Sequence, residues 1–97
     1  GKEAAEALLR FAPEAAEVWR IRGRVLAGCG RPEEALVALE KAIAMDPTSA
    51  EAFDALGQLY LGLGRREAAG HAFAEAADRE PWSRWSRHAR AWLEGNR

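Results

Sequence analysis

The stretch FDALGQLYLGLGRREAAGHAFAEAADREP at residues 53–81 decides the fold, because residues 19–47 carry the same pattern 34 positions earlier. Each matched pair keeps its chemical type: Trp19 and Phe53, Gly23 and Gly57, Ala35 and Ala69, Leu39 and Phe73, Ala42 and Ala76, Pro47 and Pro81. A repeat of this length describes one supersecondary unit that stacks on copies of itself. The 97-residue chain is therefore expected to form a single domain, residues 1–97, built from such units.

Within each copy, apolar residues recur at helical spacing on two successive segments. The four helices predicted in this way span residues 16–28, 33–45, 50–62 and 66–79. Gly28 and Gly30 interrupt the first pattern and predict a turn between two helices. Thr48 and Glu51 form a T-x-x-E capping box, which predicts that Thr48 caps the third of these helices.

Partial copies of the unit flank the two complete ones. Residues 2–13 match the second helix of a preceding unit, and residues 16–49 and 50–83 are the complete repeats. Residues 83–95 are expected to form a C-terminal capping helix. The predicted architecture is therefore all-α, with about six helices arranged as a right-handed superhelix of helical hairpins.

The last helix fits the repeat better after a shift of two positions. Keeping the repeat spacing unchanged puts Arg87 at the position of Trp19 and Phe53, where burial of the charge would be costly. The shifted alignment puts Trp85 at that position and Trp92 at the position of Tyr60. The polar outer face that a terminal cap requires is then supplied by Ser86, Arg87 and Arg90.

Composition and charge exclude several classes of protein. The 48% of apolar residues and 30% of charged residues exclude a disordered chain, and no apolar stretch approaches the length of a membrane span. The net charge is −6 over residues 33–80 and +3 over residues 81–97, so an acidic body argues against nucleic acid as a partner. Cys29 is the only cysteine, which excludes an internal disulfide and a cysteine-based zinc site.

The compartment is only weakly indicated. The opening residues GKEAAEALLRF lack the apolar core and cleavage site of a signal peptide, and the chain has a single cysteine. Together these features give a slight preference for the cytoplasm. Abundant Arg and Ala beside scarce Lys indicate a GC-rich bacterial gene.

The repeated pattern resembles the tetratricopeptide repeat, whose consensus is W-x2-L-G-x2-Y followed by Ala, an aromatic residue and Pro. The second copy carries this pattern nearly whole, in Phe53, Leu56, Gly57, Tyr60, Ala69, Phe73, Ala76 and Pro81. The first copy departs from it at Arg22, where the family usually has an apolar residue. We expect Arg22 to lie at an edge, with its aliphatic stem along apolar surface. The resemblance implies a scaffold for protein–protein interaction.

The resemblance also implies that the first helices of successive repeats line a concave groove for a peptide or protein segment. Once the core positions are removed, the candidates for this groove are Glu17, Arg20, Arg24, Glu51, Asp54 and Gln58. Arg20 and Arg24 lie one turn apart and suit a carboxylate or an acidic segment. The alternative is that these arginines pair with Glu17, Glu51 or Asp54.

Two further surfaces are possible binding sites. Trp82, Arg87 and Arg90 combine an aromatic anchor with positive charge near the C-terminus, although the tryptophans there could equally close the hydrophobic end of the domain. At the other end, Leu8, Leu9 and Phe11 would form an apolar surface that supports a homo-oligomer.

No arrangement of residues predicts catalysis. His71 and His88 lie far apart without a nucleophile beside them, and no metal-binding or phosphate-binding motif is present in the sequence. The sequence therefore predicts a non-enzymatic module without a metal or a cofactor. Cys29 is interpreted as a residue of the turn between two helices.

The sequence as a whole predicts a scaffold or adaptor that binds a protein or peptide in the concave groove. Two alternatives stay open. The repeats could be a structural spacer or a self-association module, or they could be an accessory domain of a larger enzyme.

Overall fold

The computed structural model describes residues 13–96, and within that range every regular element is an α-helix. The five helices are α1 (Pro13–Gly28), α2 (Pro32–Met45), α3 (Ala50–Gly62), α4 (Arg66–Asp78) and α5 (Arg84–Gly95). This confirms the predicted all-α class. Apart from Pro13, the helix expected over residues 2–13 lies outside the described residues. The superhelical arrangement of the repeats stays a prediction.

The chain divides into two compact units, one ending at Pro47 and the other beginning at Thr48. The first contains α1 and α2, which pack together as a hairpin. The second contains the hairpin of α3 and α4, and α5 packs against both of these helices. Helix α1 begins at Pro13, one turn before the predicted start near Ala16, because the fixed φ of proline suits the first turn of a helix.

Each hairpin is held close by a glycine that faces a large side chain. A Cβ atom on Gly23 would lie 2.7 Å from Cγ of Leu39, and one on Gly57 would lie 2.7 Å from the ring of Phe73. Leu39 and Phe73 are almost completely buried. The glycine in the first helix therefore makes room for the large residue in the second, as the repeat pattern predicts.

The turn inside the first hairpin recurs in the second at the same repeat position. Gly30 and Gly64 have positive φ values of 76° and 75°, a conformation that glycine adopts without steric cost. In both turns the next amide donates back into the preceding helix, Arg31 N to Leu26 O at 2.9 Å and Arg65 N to Tyr60 O at 2.8 Å. This satisfies a carbonyl that the end of a helix would otherwise leave without a partner.

Helix α3 is capped by Ser49, so the prediction that Thr48 is the cap is wrong. The Ser49 hydroxyl accepts a hydrogen bond from Ala52 N at 3.2 Å, while Thr48 is exposed outside the helix. The carboxylate of Glu80 accepts from Ala50 N at 2.9 Å. The predicted capping box missed this second cap because Glu80 is 30 residues away in sequence.

The core of the second unit is made of small residues around one aromatic ring. Ala69, Phe73, Ala76, Ala77 and Ala89 form the buried cluster. The alanines let α4 and α5 approach closely, and the ring of Trp92 packs on Phe73 with centroids 4.7 Å apart.

Ser86 belongs to the interface of α5 with α4, which corrects its predicted place on the polar outer face. Its side chain is completely buried, and its hydroxyl donates to the carbonyl of Ala77 at 2.8 Å. A small hydroxyl fits this interface because the hydrogen bond compensates for its loss of water.

Candidate functional site

The repeat spacing continues into α5 without the expected shift of two positions. Ser83 caps α5 through Ser86 N at 3.2 Å, and it does so one repeat after Ser49 makes the same bond to Ala52 N. Arg87 therefore occupies the position of Phe53, and it is exposed. The Arg87 side chain is not buried, because no further helix follows α5 within the described residues to pack against it.

On α1, the three polar candidates occupy one face, and two of them pair. Arg20 and Glu17 form an ion pair with 3.7 Å between nitrogen and oxygen, in which the Arg20 side chain is largely buried and the Glu17 side chain is mostly exposed. Arg24 is exposed one turn further on. Both arginines also take part in other contacts within the protein. The alternative that Arg20 pairs with an acidic neighbour is thus observed for Glu17.

On α3, Asp54 is buried rather than presented to a ligand, so we withdraw it as a groove contact. Its side chain is 5% exposed, and its Oδ1 lies 2.6 Å from Nδ1 of His88 on α5. The other oxygen accepts a hydrogen bond from Gln58 Nε2 at 2.7 Å. A buried carboxylate needs such partners, and the contact with His88 also links α3 to α5. Gln58 itself is exposed, and Glu51 is half-buried.

The secondary candidates Trp82, Arg87 and Arg90 differ in the contacts that their side chains make. Trp82 is the most exposed large apolar residue of the described chain, at 75%. Arg87 is exposed, while Arg90 uses its guanidinium to approach the carbonyl of Ala77 at 3.4 Å. Arg90 is therefore partly committed to the packing of α5 on α4.

Sequence reasoning missed that His88 on α5 contacts Asp54, one of the candidates on α3. On the same helix, Arg84 places its guanidinium 4.8 Å from the ring centroid of Trp85. The unshifted repeat spacing would have indicated the first contact, because it puts His88 one repeat after Asp54. The shift was preferred to avoid burying Arg87, and that reason does not hold in the structure.

An apolar stripe on α1 was also missed as a surface. Val18, Ile21 and Val25 are spaced as neighbours along one helical face, and they are 56%, 47% and 58% exposed. Beside the stripe, α1 and α2 form an open depression of about 440 Å³. It is lined by Trp19, Arg22, Leu26, Glu34, Val37 and Ala38. Arg22 is exposed with its guanidinium 4.9 Å from the ring centroid of Trp19, as expected for a residue at an edge.

Neither a metal site nor a membrane-spanning helix is found among the described residues. Within residues 13–96, no three His, Cys, Asp or Glu side chains lie close enough together to hold a metal ion. Among the described helices, none combines the length and the apolar character that a membrane crossing needs. Cys29 is exposed in the turn between α1 and α2, where the sequence placed it.

Comparison with known proteins identifies the repeat. A family model described as TPR repeat matches residues 23–64, and one described as tetratricopeptide repeat matches residues 50–81. No curated protein matches the chain. The two matches overlap on α3 and together cover the turns, glycines and alanines that form the hairpins. The chain belongs to the tetratricopeptide repeat family.

Proposed function

We propose that this chain binds an acidic segment of a partner protein on the polar face of α1. Tetratricopeptide repeats are generally modules for protein interaction and are typically non-catalytic. The observation that carries the finer proposal is the polar face of α1, where Arg20 and Arg24 stand one turn apart. Guanidinium groups at this spacing suit carboxylates, which they bind through paired hydrogen bonds.

The ion pair already present on α1 is compatible with this role. Its distance of 3.7 Å is long, and the Glu17 side chain is 60% exposed. The exposed Glu17 carboxylate is held weakly at this distance, so a carboxylate of the partner can take its place beside Arg20 at small cost. Binding by exchange would also favour partners with several acidic residues, because one carboxylate gains little over the internal one.

A titration with hexaglutamate peptide, observed by NMR, tests the proposal. The double variant Arg20→Glu, Arg24→Glu should bind at least about tenfold more weakly, because two charge-assisted contacts become repulsive. The matched control is Arg31→Glu, Arg65→Glu, which changes the net charge equally in the two hairpin turns. Equal losses in both double variants would mean unspecific attraction, and unchanged binding in the first would refute the proposal.

The apolar stripe favours a second candidate function, self-association. Val18, Ile21 and Val25 form a contiguous exposed apolar patch on α1. Patches of this kind often mark interfaces between proteins. Sedimentation of the chain over a hundredfold range of concentration tests this. A mass that rises with concentration, and falls to that of the monomer in Ile21→Lys, would establish self-association. A constant monomer mass would exclude it.

A further inference from the structure

We propose that Asp54, Gln58 and His88 form a binding site for a cationic side chain of a partner, the ammonium of a lysine or the guanidinium of an arginine. We call these three residues the acceptor site. All of them belong to the second unit, on α3 and α5. His88 Nε2 and Gln58 Oε1 contact the cation, and Asp54 is a positioning residue. The inference is carried by these residues alone and does not depend on the acidic segment proposed for α1.

The buried carboxylate of Asp54 takes up a donor from each of two exposed side chains. Its Oδ1 lies 2.6 Å from Nδ1 of His88, and its Oδ2 accepts a hydrogen bond from Nε2 of Gln58 at 2.7 Å. Because an ionised carboxylate can only accept hydrogen bonds, Nδ1 carries the proton of the imidazole. In the neutral ring, Nε2 is then an acceptor, and the carbonyl oxygen of Gln58 is a second one. The arrangement therefore leaves two acceptors for a ligand.

Both acceptors belong to side chains that reach solvent. The His88 side chain is 53% exposed, although its ring is packed edge to face on Phe73 with centroids 5.9 Å apart. Gln58 is exposed as well. Within the described part of the chain, neither Nε2 of His88 nor Oε1 of Gln58 makes a hydrogen bond. An imidazole fixed by a carboxylate and an aromatic ring loses little conformational entropy when a partner binds.

The charge of Asp54 favours a cation over a neutral donor. The carboxylate is in direct contact with the imidazole and is only 5% exposed, so water screens it little. A carboxylate bound at one ring nitrogen also makes the other nitrogen more basic and hence a stronger acceptor. Hydrogen bonds from charged donors are about twice as strong as those from neutral donors. Lysine and arginine side chains therefore gain the most at the acceptor site.

Helix α5 also carries positive charge, which does not occupy the acceptor site. Arg90 directs its guanidinium to the carbonyl of Ala77 at 3.4 Å, and Arg84 holds its guanidinium 4.8 Å from the ring centroid of Trp85. The charge of Arg84 opposes a bound cation, but this residue is exposed to water and ions, which screen it. Helix α3, which supplies the carboxylate, contains two acidic residues and no basic one.

The test follows the imidazole ¹⁵N signals of the whole chain by NMR, at about pH 8, where unperturbed imidazoles are neutral. The probes are blocked tripeptides with one cation, acetyl-Gly-Lys-Gly-amide and acetyl-Gly-Arg-Gly-amide. We expect Nδ1 of His88 to be protonated in the free protein and its Nε2 signal to move as peptide is added. His71, the other histidine, should not respond. The peptide with the larger effect identifies the preferred cation.

Three results of this titration would overturn the inference. One is a proton on Nε2 of His88 in the free protein, since that nitrogen would then be a donor. Another is an Nε2 signal that stays in place with both cationic peptides. The third is an equal response to acetyl-Gly-Gln-Gly-amide, which would mean that the charge of the ligand has no part in binding.

Asp54→Asn tests the role of the carboxylate, because asparagine reverses the hydrogen bonds without removing them. Its amide donates to Nδ1 of His88 and its carbonyl still accepts from Gln58, so the imidazole proton moves to Nε2. We expect both cationic peptides to bind at least about tenfold more weakly. Helicity measured by circular dichroism checks the fold, and the titration of the unchanged chain decides the matter if Asp54→Asn unfolds.

Glu67→Gln is the matched control, because it removes the same charge from an exposed position on α4. It should leave the binding of both cationic peptides nearly unchanged. Equal losses in Glu67→Gln and Asp54→Asn would mean unspecific attraction to an acidic protein surface and would overturn the inference.

Discussion

The two hairpins, α1–α2 and α3–α4, share one backbone design but differ in how much of it is covered. Both have a glycine under a large residue and a glycine of positive φ in the turn. Yet Leu56 on α3 is 9% exposed, whereas Arg22 at the same repeat position on α1 is exposed. A repeat position therefore determines the contacts inside a hairpin but not the burial of its outer faces.

The two hairpins differ most in the exposure of the positions that form the apolar stripe on α1. Val18 and Val25 on α1 are 56% and 58% exposed, while Ala52 and Leu59, at the same positions of the next repeat, are 1% and 7% exposed. On α5 the next copies of these positions belong to the helix face that packs on α4, where Ser86 bonds to the Ala77 carbonyl. Apolar residues therefore recur at these positions because the repeat pattern requires them, although on α1 their side chains are exposed.

The largest effect on stability is expected from truncating the large buried side chain in the core of each hairpin. Phe73→Ala should cost about 3–5 kcal/mol of unfolding free energy, because the ring is fully buried and packs on His88 and Trp92. Leu39→Ala, at the same repeat position, should cost less, about 2–4 kcal/mol. Urea unfolding followed by circular dichroism measures both. The exposed Val37→Ala is the control, and a loss in Phe73→Ala no greater than in that control would contradict the packing described.

The next largest effect should come from the contact of Asp54 with His88 that joins α3 to α5, compared with the long ion pair of Glu17 on α1. Asp54→Ala should cost about 1–3 kcal/mol, since it removes a buried group that receives two hydrogen bonds. Glu17→Ala should cost no more than about 0.5 kcal/mol, because that pair is long and the Glu17 side chain is mostly exposed. Thermal unfolding of both variants compares the two carboxylates, and equal shifts would mean that the contact of Asp54 with His88 contributes nothing.

A smaller effect is expected from filling the close contact in the second hairpin. Gly57→Ala should destabilise by about 1–2 kcal/mol, because the new methyl overlaps the Phe73 ring by more than the gain in helix propensity can offset. Gly28→Ala meets nothing within 4 Å and should be neutral or slightly stabilising. Unfolding midpoints in urea report both changes. A stabilised Gly57→Ala would show that the ring moves aside freely.

The smallest effect concerns the helix caps, and it tests the corrected start of α3. Ser49→Ala should cost about 1 kcal/mol, and Ser83→Ala about the same, since each removes the acceptor for an amide of the first turn. Thr48→Ala should change stability by less than about 0.5 kcal/mol, because its side chain is exposed outside the helix. If Thr48→Ala proved the costlier of the two, the cap would be misassigned.

The hairpins were predictable because each follows from contacts close in sequence or from the repeat itself. Gly57 and Phe73 could be paired from the pattern, and so could the turn at Gly64. Glu80 and His88 could not, because they act on Ala50 and Asp54 from 30 and 34 residues away. Nothing in the local sequence marks a glutamate as the cap of a distant helix. The candidate residues on α1 and α3 stay predictions until binding is measured.

By itself, the sequence determined that the chain forms helical hairpins of the tetratricopeptide type, since a regular repeat with fixed small and large positions leaves the backbone few alternatives. Only the tertiary structure decided which outer faces are covered, that Asp54 is buried under His88, and that Arg87 points to water. Burial depends on which helix lies alongside, and that neighbour can be distant in sequence. The same side chain at the same repeat position can therefore be core in one hairpin and surface in the next.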